Sequence, residues 1–306
     1  MYQSLGGTIY ALIAGICWGF SGTVGQFLFS HTAIDSGWLT TVRLLVSGLI
    51  LLVMAAIQRP QSVTGVWKNR RDALQLVFFG IAGLMAVQYC YMEAIFYSDS
   101  GTATAVQYTG EAMLLVYTCI TARRLPKRSE FFGLVLALFG IFLLATHGSF
   151  SGLVLSPAGL FWGLTAAVAL MIYTASPCRL IEKYGSISIT AQGMLIGGLA
   201  LGLLLRIWQI PGTYTPQALL GTAAITLIGT VLGFTIYLKS TVLIGPLKAG
   251  LIAAVETVSA PFFSRVWLKT PFQPVDYLGF LCILSMVFLI SLPELRKERA
   301  QAPQNS

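Results

Sequence analysis

Ten stretches of the chain are nearly unbroken runs of apolar residues, divided by short polar segments. They fall at Thr8–Phe29, Gly37–Ile57, Leu74–Tyr97, Thr102–Thr121, Phe131–Ala145, Ala158–Leu180, Ser188–Arg206, Ala218–Thr241, Leu247–Val266 and Val275–Ser291. Most approach the roughly 20 residues that a helix needs to cross a bilayer. None shows the apolar/polar alternation of a membrane β-strand. The pattern predicts an all-α polytopic membrane protein with ten transmembrane helices. No Lys or Arg precedes the first run, and nine runs follow it, so it reads as a retained span rather than a signal peptide. The segment 293–306 is polar and is expected to form a disordered cytoplasmic tail.

Composition removes the soluble alternative. The 306 residues are 56% hydrophobic and 10% charged, against about 25% charged in a soluble domain. The net charge of +8 raises the question of nucleic acid, and the placement of the charges answers it. With both termini cytoplasmic, 15 of the 19 Lys and Arg lie in loops or tail on that side. Arg206, Arg265 and Lys269 lie outside, and Arg43 lies within a span. Such a bias orients the chain by the positive-inside rule, and it suits an even number of spans. The expected surroundings are a lipid bilayer in the cell (plasma or inner) membrane, with no nucleic-acid partner. The five cysteines have neither disulfide-framework nor metal-ligand spacing, and no cofactor is expected.

Within the runs, two carboxylates stand out: Glu111 and Glu256, 145 positions apart (256 − 111). At that offset AIFYSDSGTATAVQYTGEAML lies over KSTVLIGPLKAGLIAAVETVS. In each, a span ends, a Gly-containing turn follows, and the next span carries Glu near its middle. Five spans precede the loop HGSFSGLVLSP and five follow it. Because five is odd, the second unit would enter the membrane in the opposite sense, a recurrent build of secondary transporters. The expected organisation is 1–148 and 149–292 as two inverted five-helix repeats, followed by the tail.

The segments CWGFSG, EAIFYSDSGTATAVQY and AAVET, with basic residues after the fourth span, resemble the drug/metabolite transporter superfamily. The closing runs GLVLALFGIFLLAT and GFLCILSMVFLI add to the resemblance, which is to the ten-helix members built from two EamA-type domains. It implies export of small metabolites, amino acids among them, by alternating access. Ala112 and Thr257 follow the two glutamates where family members often have proline, which removes the basis for a proline-dependent kink.

A charge at bilayer depth is costly and usually faces a bundle interior or a watery cavity. Thr104, Gln107 and Thr118 share the helix face of Glu111, with Tyr108 at its border. The face around Glu256 holds only Ser259, so Glu111 is the stronger candidate to meet substrate or a proton. Either carboxylate could carry a proton, bind a substrate ammonium, or hydrogen-bond a neighbouring helix. Arg43 and Glu93 lie at similar depth on successive spans, which predicts an ion pair: a structural or gating clasp, or a contact for an anionic substrate group. Tyr89, Glu93 and Tyr97 share one face; Thr222, Thr226, Thr230, Gly233 and Tyr237 form a stripe on the eighth span. With Trp18, Trp162 and Tyr173 they outline an apolar cavity with few polar anchors. Gly15, Gly19, Gly22, Gly193 and Gly197 suit close helix contact.

A membrane-embedded enzyme would need a catalytic dyad or metal motif, but His31, His147 and all four aspartates fall in loops or at span edges. A phosphate-binding G-x-x-x-x-G-K-[ST] segment is absent. The reading is a secondary-active transporter of amino acids or related amines, with protons as a possible coupling ion. A facilitative channel or uniporter is the alternative.

Overall fold

The computed structural model describes residues 2–150, 152–210 and 214–301, and no strand occurs among them. We label the main helices α1 (Tyr2–His31), α2 (Ser36–Gln58), α3 (Arg70–Tyr97), α4 (Ser100–Tyr108), α5 (Gly110–Thr121) and α6 (Arg128–Thr146). The rest are α7 (Pro157–Ala175), α8 (Ser186–Leu204), α9 (Pro216–Ile244), α10 (Pro246–Ala253), α11 (Glu256–Trp267) and α12 (Pro274–Gln301). Among the described residues nine helices are long and apolar enough to cross a membrane, with α10 and α11 counted as one continuous element, Pro246–Leu268. The chain is a multi-pass membrane protein.

The loop residues that escaped the apolar runs set the helix starts. Asp35 accepts the N–H of Trp38 at 2.8 Å to open α2, and Asp99 accepts that of Thr102 at 2.9 Å to open α4. Ser156 opens α7 and also donates to the Tyr97 carbonyl at 2.8 Å. Such caps satisfy amides that the first turn leaves without partners, which matters most where little water reaches.

The expected span Thr102–Thr121 is not one helix. It is interrupted at Thr109, leaving α4 and α5 at nine and twelve residues, and neither counts singly among the nine. The Thr109 amide turns to Val106 O at 3.1 Å, three residues back, and its hydroxyl donates to the same oxygen at 2.6 Å. The second interruption, at Ala254–Val255, is built alike. Val255 N–H reaches Ile252 O at 3.1 Å, and the Thr257 hydroxyl donates to Ala254 O at 2.8 Å. A threonine bonding back to the chain competes with the helical ladder, so both interruptions form without proline beside the glutamates.

Two long helices carry a second kind of irregularity. α3 widens to a π-helical turn at Phe79–Met85, and α9 does so at Ile225–Leu232. Single π-turns concentrate at functional sites. The glycines let these elements approach. A Cβ on Gly197 of α8 would lie 2.6 Å from Gly80 O in the π-turn of α3, while Gly15 of α1 sits against Ala253 O at the end of α10. At one end of the bundle Gln26 joins three elements. Its Oε1 accepts from Ser100 N at 3.0 Å and from Ser264 Oγ at 2.8 Å, and its Nε2 donates to Thr270 Oγ1 at 3.0 Å. At the other end buried Asp72 accepts from Arg179, from Lys183 at 2.7 Å and from Tyr184 at 2.8 Å.

The tail departs from expectation. α12 continues past Pro293 to Gln301, because Leu, Glu, Arg, Lys and Ala are all strong helix formers. Residues 302–306 of the expected tail lie outside the described residues.

Candidate functional site

The two interruptions are tied to each other. Tyr108, the last residue of α4, donates its hydroxyl to Glu256 Oε2 at 2.9 Å, and Glu256 is the first residue of α11. Glu256 is 8% exposed. It stands in the first turn of α11, the end of a helix at which negative charge is favoured. Glycines give the junction room: Gly19 of α1 lies against Ser259 and Ala260, and Gly110 of α5 lies against Ala167 O of α7.

Arg43 of α2 enters from the other side, 4% exposed, and its Nε donates to Thr230 Oγ1 at 2.7 Å. Thr230 lies in the π-turn of α9, and its hydroxyl reaches Ile225 O, five residues back, at 3.2 Å. The widened turn therefore presents a threonine that accepts from the guanidinium while donating to its own helix. Tyr91 of α3 shares a hydrogen bond with Thr104 of α4 at 2.8 Å. Arg43, Tyr91 and Glu256 act on one another electrostatically, yet Arg43 and Glu256 form no ion pair. The two side chains are thus near enough to interact without touching.

Aromatic rings complete it. Trp18 packs on Phe234 and Tyr237 with centroids 5.4 and 5.1 Å away, and Trp162 meets Tyr89 edge-on at 5.6 Å. Along α9, Thr222, Thr226, Thr230 and Gly233 are buried, and Tyr237 is half-buried. Gln107 is buried in α4.

Two expectations about individual residues are corrected. Arg43 and Glu93 do not pair: Glu93 accepts from Ser36 Oγ at 2.5 Å, while Arg43 turns to Thr230. Similar depth on neighbouring helices did not fix the direction of the side chains around the helix axes. The polar face expected around Glu111 is not buried throughout. Glu111 is half-buried, and its side chain makes no hydrogen bond among the described residues. Thr118, two turns along α5 from Glu111, is exposed and bonds back to Leu114 O at 2.8 Å. Sequence reasoning missed Tyr91, which nothing in spacing separates from the other tyrosines of the spans. It also missed Gln26, a lone amide in an apolar run. Among the described residues no group of three or more His, Cys, Asp or Glu gathers to hold a metal.

Comparison with known proteins agrees with this architecture. The chain matches the EamA-like transporter family over residues 5–146 and again over 157–292. It belongs to the EamA-like transporter family. That family lies within the drug/metabolite transporter superfamily that the sequence resembled. The "Uncharacterized inner membrane transporter YicL" of Salmonella typhimurium is 35% identical over 297 residues, spanning 96% of this chain and 98% of that protein. The "Uncharacterized transporter YcbK" of Bacillus subtilis is 22% identical over 96% of this chain and 95% of that protein. A solved crystal structure superposes with a TM-score of 0.65 at 16% identity, covering 95% of this chain and 98% of the other; that likeness concerns the fold alone. Membership in the EamA-like family points to a membrane transporter rather than an enzyme.

Proposed function

We propose that this EamA-like protein is a secondary-active carrier that exports small metabolites, amino acids or related amines, by alternating access. It is a multi-pass protein of the cell (plasma or inner) membrane, in keeping with its apolar helices and with the inner-membrane relative. Ten spans in two inverted five-helix units, with both termini cytoplasmic, are the arrangement we infer, α4 and α5 together making one span. The paired irregularities support it: π-turns in α3 and α9, and interruptions just before Glu111 and Glu256. The ring pairs Trp162–Tyr89 and Trp18–Phe234 are related by nearly the same offset as the glutamates. Interrupted helices that meet near the midplane supply free helix ends and carboxylates to a substrate or coupling ion.

The single observation that carries the reading is the Tyr108–Glu256 bond. It joins the interrupted helix of one matched stretch to that of the other, inside a region that also holds Arg43. Relative movement of the two stretches must then remake a contact to the very carboxylate that could exchange a proton or bind an ammonium. The test is flux of an amino-acid and amine mixture in proteoliposomes, with and without an imposed pH gradient. Saturable flux accelerated by the gradient and lost in Glu256→Gln is expected; Glu111→Gln should reduce it less. Non-saturable flux would replace the carrier with a channel, and normal flux in Glu256→Gln would remove Glu256 from the mechanism.

A further inference from the structure

Within about one turn of α9, buried hydrogen-bond donors collect without acceptors. Arg43 uses its Nε on Thr230, but its Nη1 is sealed from solvent with no partner. Trp18 Nε1 and Ser21 Oγ, both from α1, are likewise buried and unpartnered. The backbone of α9 shows that these groups are neighbours. A Cβ on Gly233 would lie 2.8 Å from Trp18 Nε1, and one on Gly229 would collide with Ser21 Oγ. Thr230, which holds Arg43, stands between those two glycines. The missing side chains let α1 pack closely on α9 and bring its two donors beside Thr230.

A guanidinium and an indole N–H can only donate, and a hydroxyl can do so as well. Buried polar groups are ordinarily paired, so two donor-only groups and a hydroxyl left open together form the complement of an oxyanion. Arg suits a carboxylate in particular, because its planar fork can engage both oxygens. Glu256 lies across the interior within electrostatic reach of Arg43 but out of ion-pair contact. A solute carrying both an anionic and a cationic group would meet both charges at once.

We propose that Arg43, with Trp18 Nε1–H and Ser21 Oγ–H, holds the carboxylate of the transported solute, so that the carrier accepts carboxylate-bearing amines and rejects amines without one. The proposal rests on the carrier reading for transport but not for binding, and the two are tested separately. Purified full-length protein is titrated with sodium acetate against sodium chloride at equal ionic strength, following melting temperature and tryptophan fluorescence. Acetate should stabilise the wild type beyond chloride and change its fluorescence. Arg43→Gln should weaken apparent acetate binding by about tenfold or more, the usual loss for a charge-assisted hydrogen bond. Trp18→Phe, which keeps the ring and removes only the N–H, should weaken it by a smaller factor and decides the matter if Arg43→Gln does not fold. An acetate effect that is absent, or equal in wild type and both variants, overturns the proposal. In proteoliposomes, leucine should move much faster than isoamylamine; equal rates also overturn it. If neither solute moves, the carrier reading loses support, while the anion site still stands or falls on acetate.

Discussion

Replacing Gln26 with Met keeps the length and apolar bulk of the side chain but deletes an amide that makes three hydrogen bonds. Those bonds link α1 to the start of α4, to Ser264 near the end of α11, and to Thr270 beyond it. The losses are unequal. Ser264 and Thr270 also bond each other at 2.6 Å, so each keeps a partner. Ser100 N–H does not: Ser100 is fully buried, and Gln26 Oε1 is its acceptor. An unmade buried donor costs roughly 1–3 kcal/mol, and each further neutral bond contributes about 1 kcal/mol net. The sum is about 3–5 kcal/mol, which for a chain of this size lowers Tm by roughly 4 °C or more. Thermal unfolding of the purified protein in one fixed detergent measures it. A double-mutant cycle with Ser264→Ala separates the bond from general damage, because partners in one network couple by about 0.5–3 kcal/mol whereas independent sites add. An unchanged Tm in Gln26→Met, or strict additivity in the cycle, would refute the view that Gln26 closes this end of the bundle.

Other outcomes follow from contacts already described. Gly197→Ala places a methyl group 2.6 Å from Gly80 O, a backbone atom that cannot swing aside, and should destabilise by about 1–3 kcal/mol in the same melting assay. Tyr108→Phe removes the donor to Glu256 while keeping the ring; transport should fall well below wild type with near-normal expression, and unchanged transport would make the bond dispensable. Asp72→Ala strips three donors of a common acceptor at the opposite end of the bundle and should lower Tm measurably. On pH, the hydrogen bond from Lys183 to Asp72, and then its contact with Tyr184, hold the Lys183 ammonium above the ordinary lysine value of 10.5. A raised lysine contributes fully below that value and loses its effect only as pH climbs past its own higher one. The Tm difference between wild type and Lys183→Gln should therefore stay constant from pH 6 to 9, and a drift across that range would contradict it.

Much of this architecture was legible from apolar run length, since a helix in lipid must satisfy its own backbone and cannot be short. The loop carboxylates and hydroxyls that cap α2, α4 and α7 were visible as loop residues. The interruption at Thr109 was not visible, because no proline marks it and glycines such as the adjacent Gly110 recur throughout the spans: a threonine hydroxyl back-bonding to Val106 does the work. Counting Thr104 and Glu111 along a continuous helix places them on one face, whereas the break puts them in separate helices, α4 and α5. The Arg43–Glu93 expectation failed for a related reason. Depth follows from counting residues, but azimuth follows from which neighbour a helix packs against, and α2 turns its arginine to α9.

The hydrogen bond from Tyr108 to Glu256 crosses between the stretches that match the family separately, 5–146 and 157–292. Neither stretch is therefore chemically self-sufficient. Expressed alone, the first would carry a phenol into the hydrocarbon and the second a carboxylic acid, each without the other's atoms, and an unsatisfied polar group there costs several kcal/mol. The halves are mutual chaperones. Cut in the loop that joins them, they should accumulate when co-expressed and be degraded when produced singly, and Tyr108→Phe in one half should weaken that rescue.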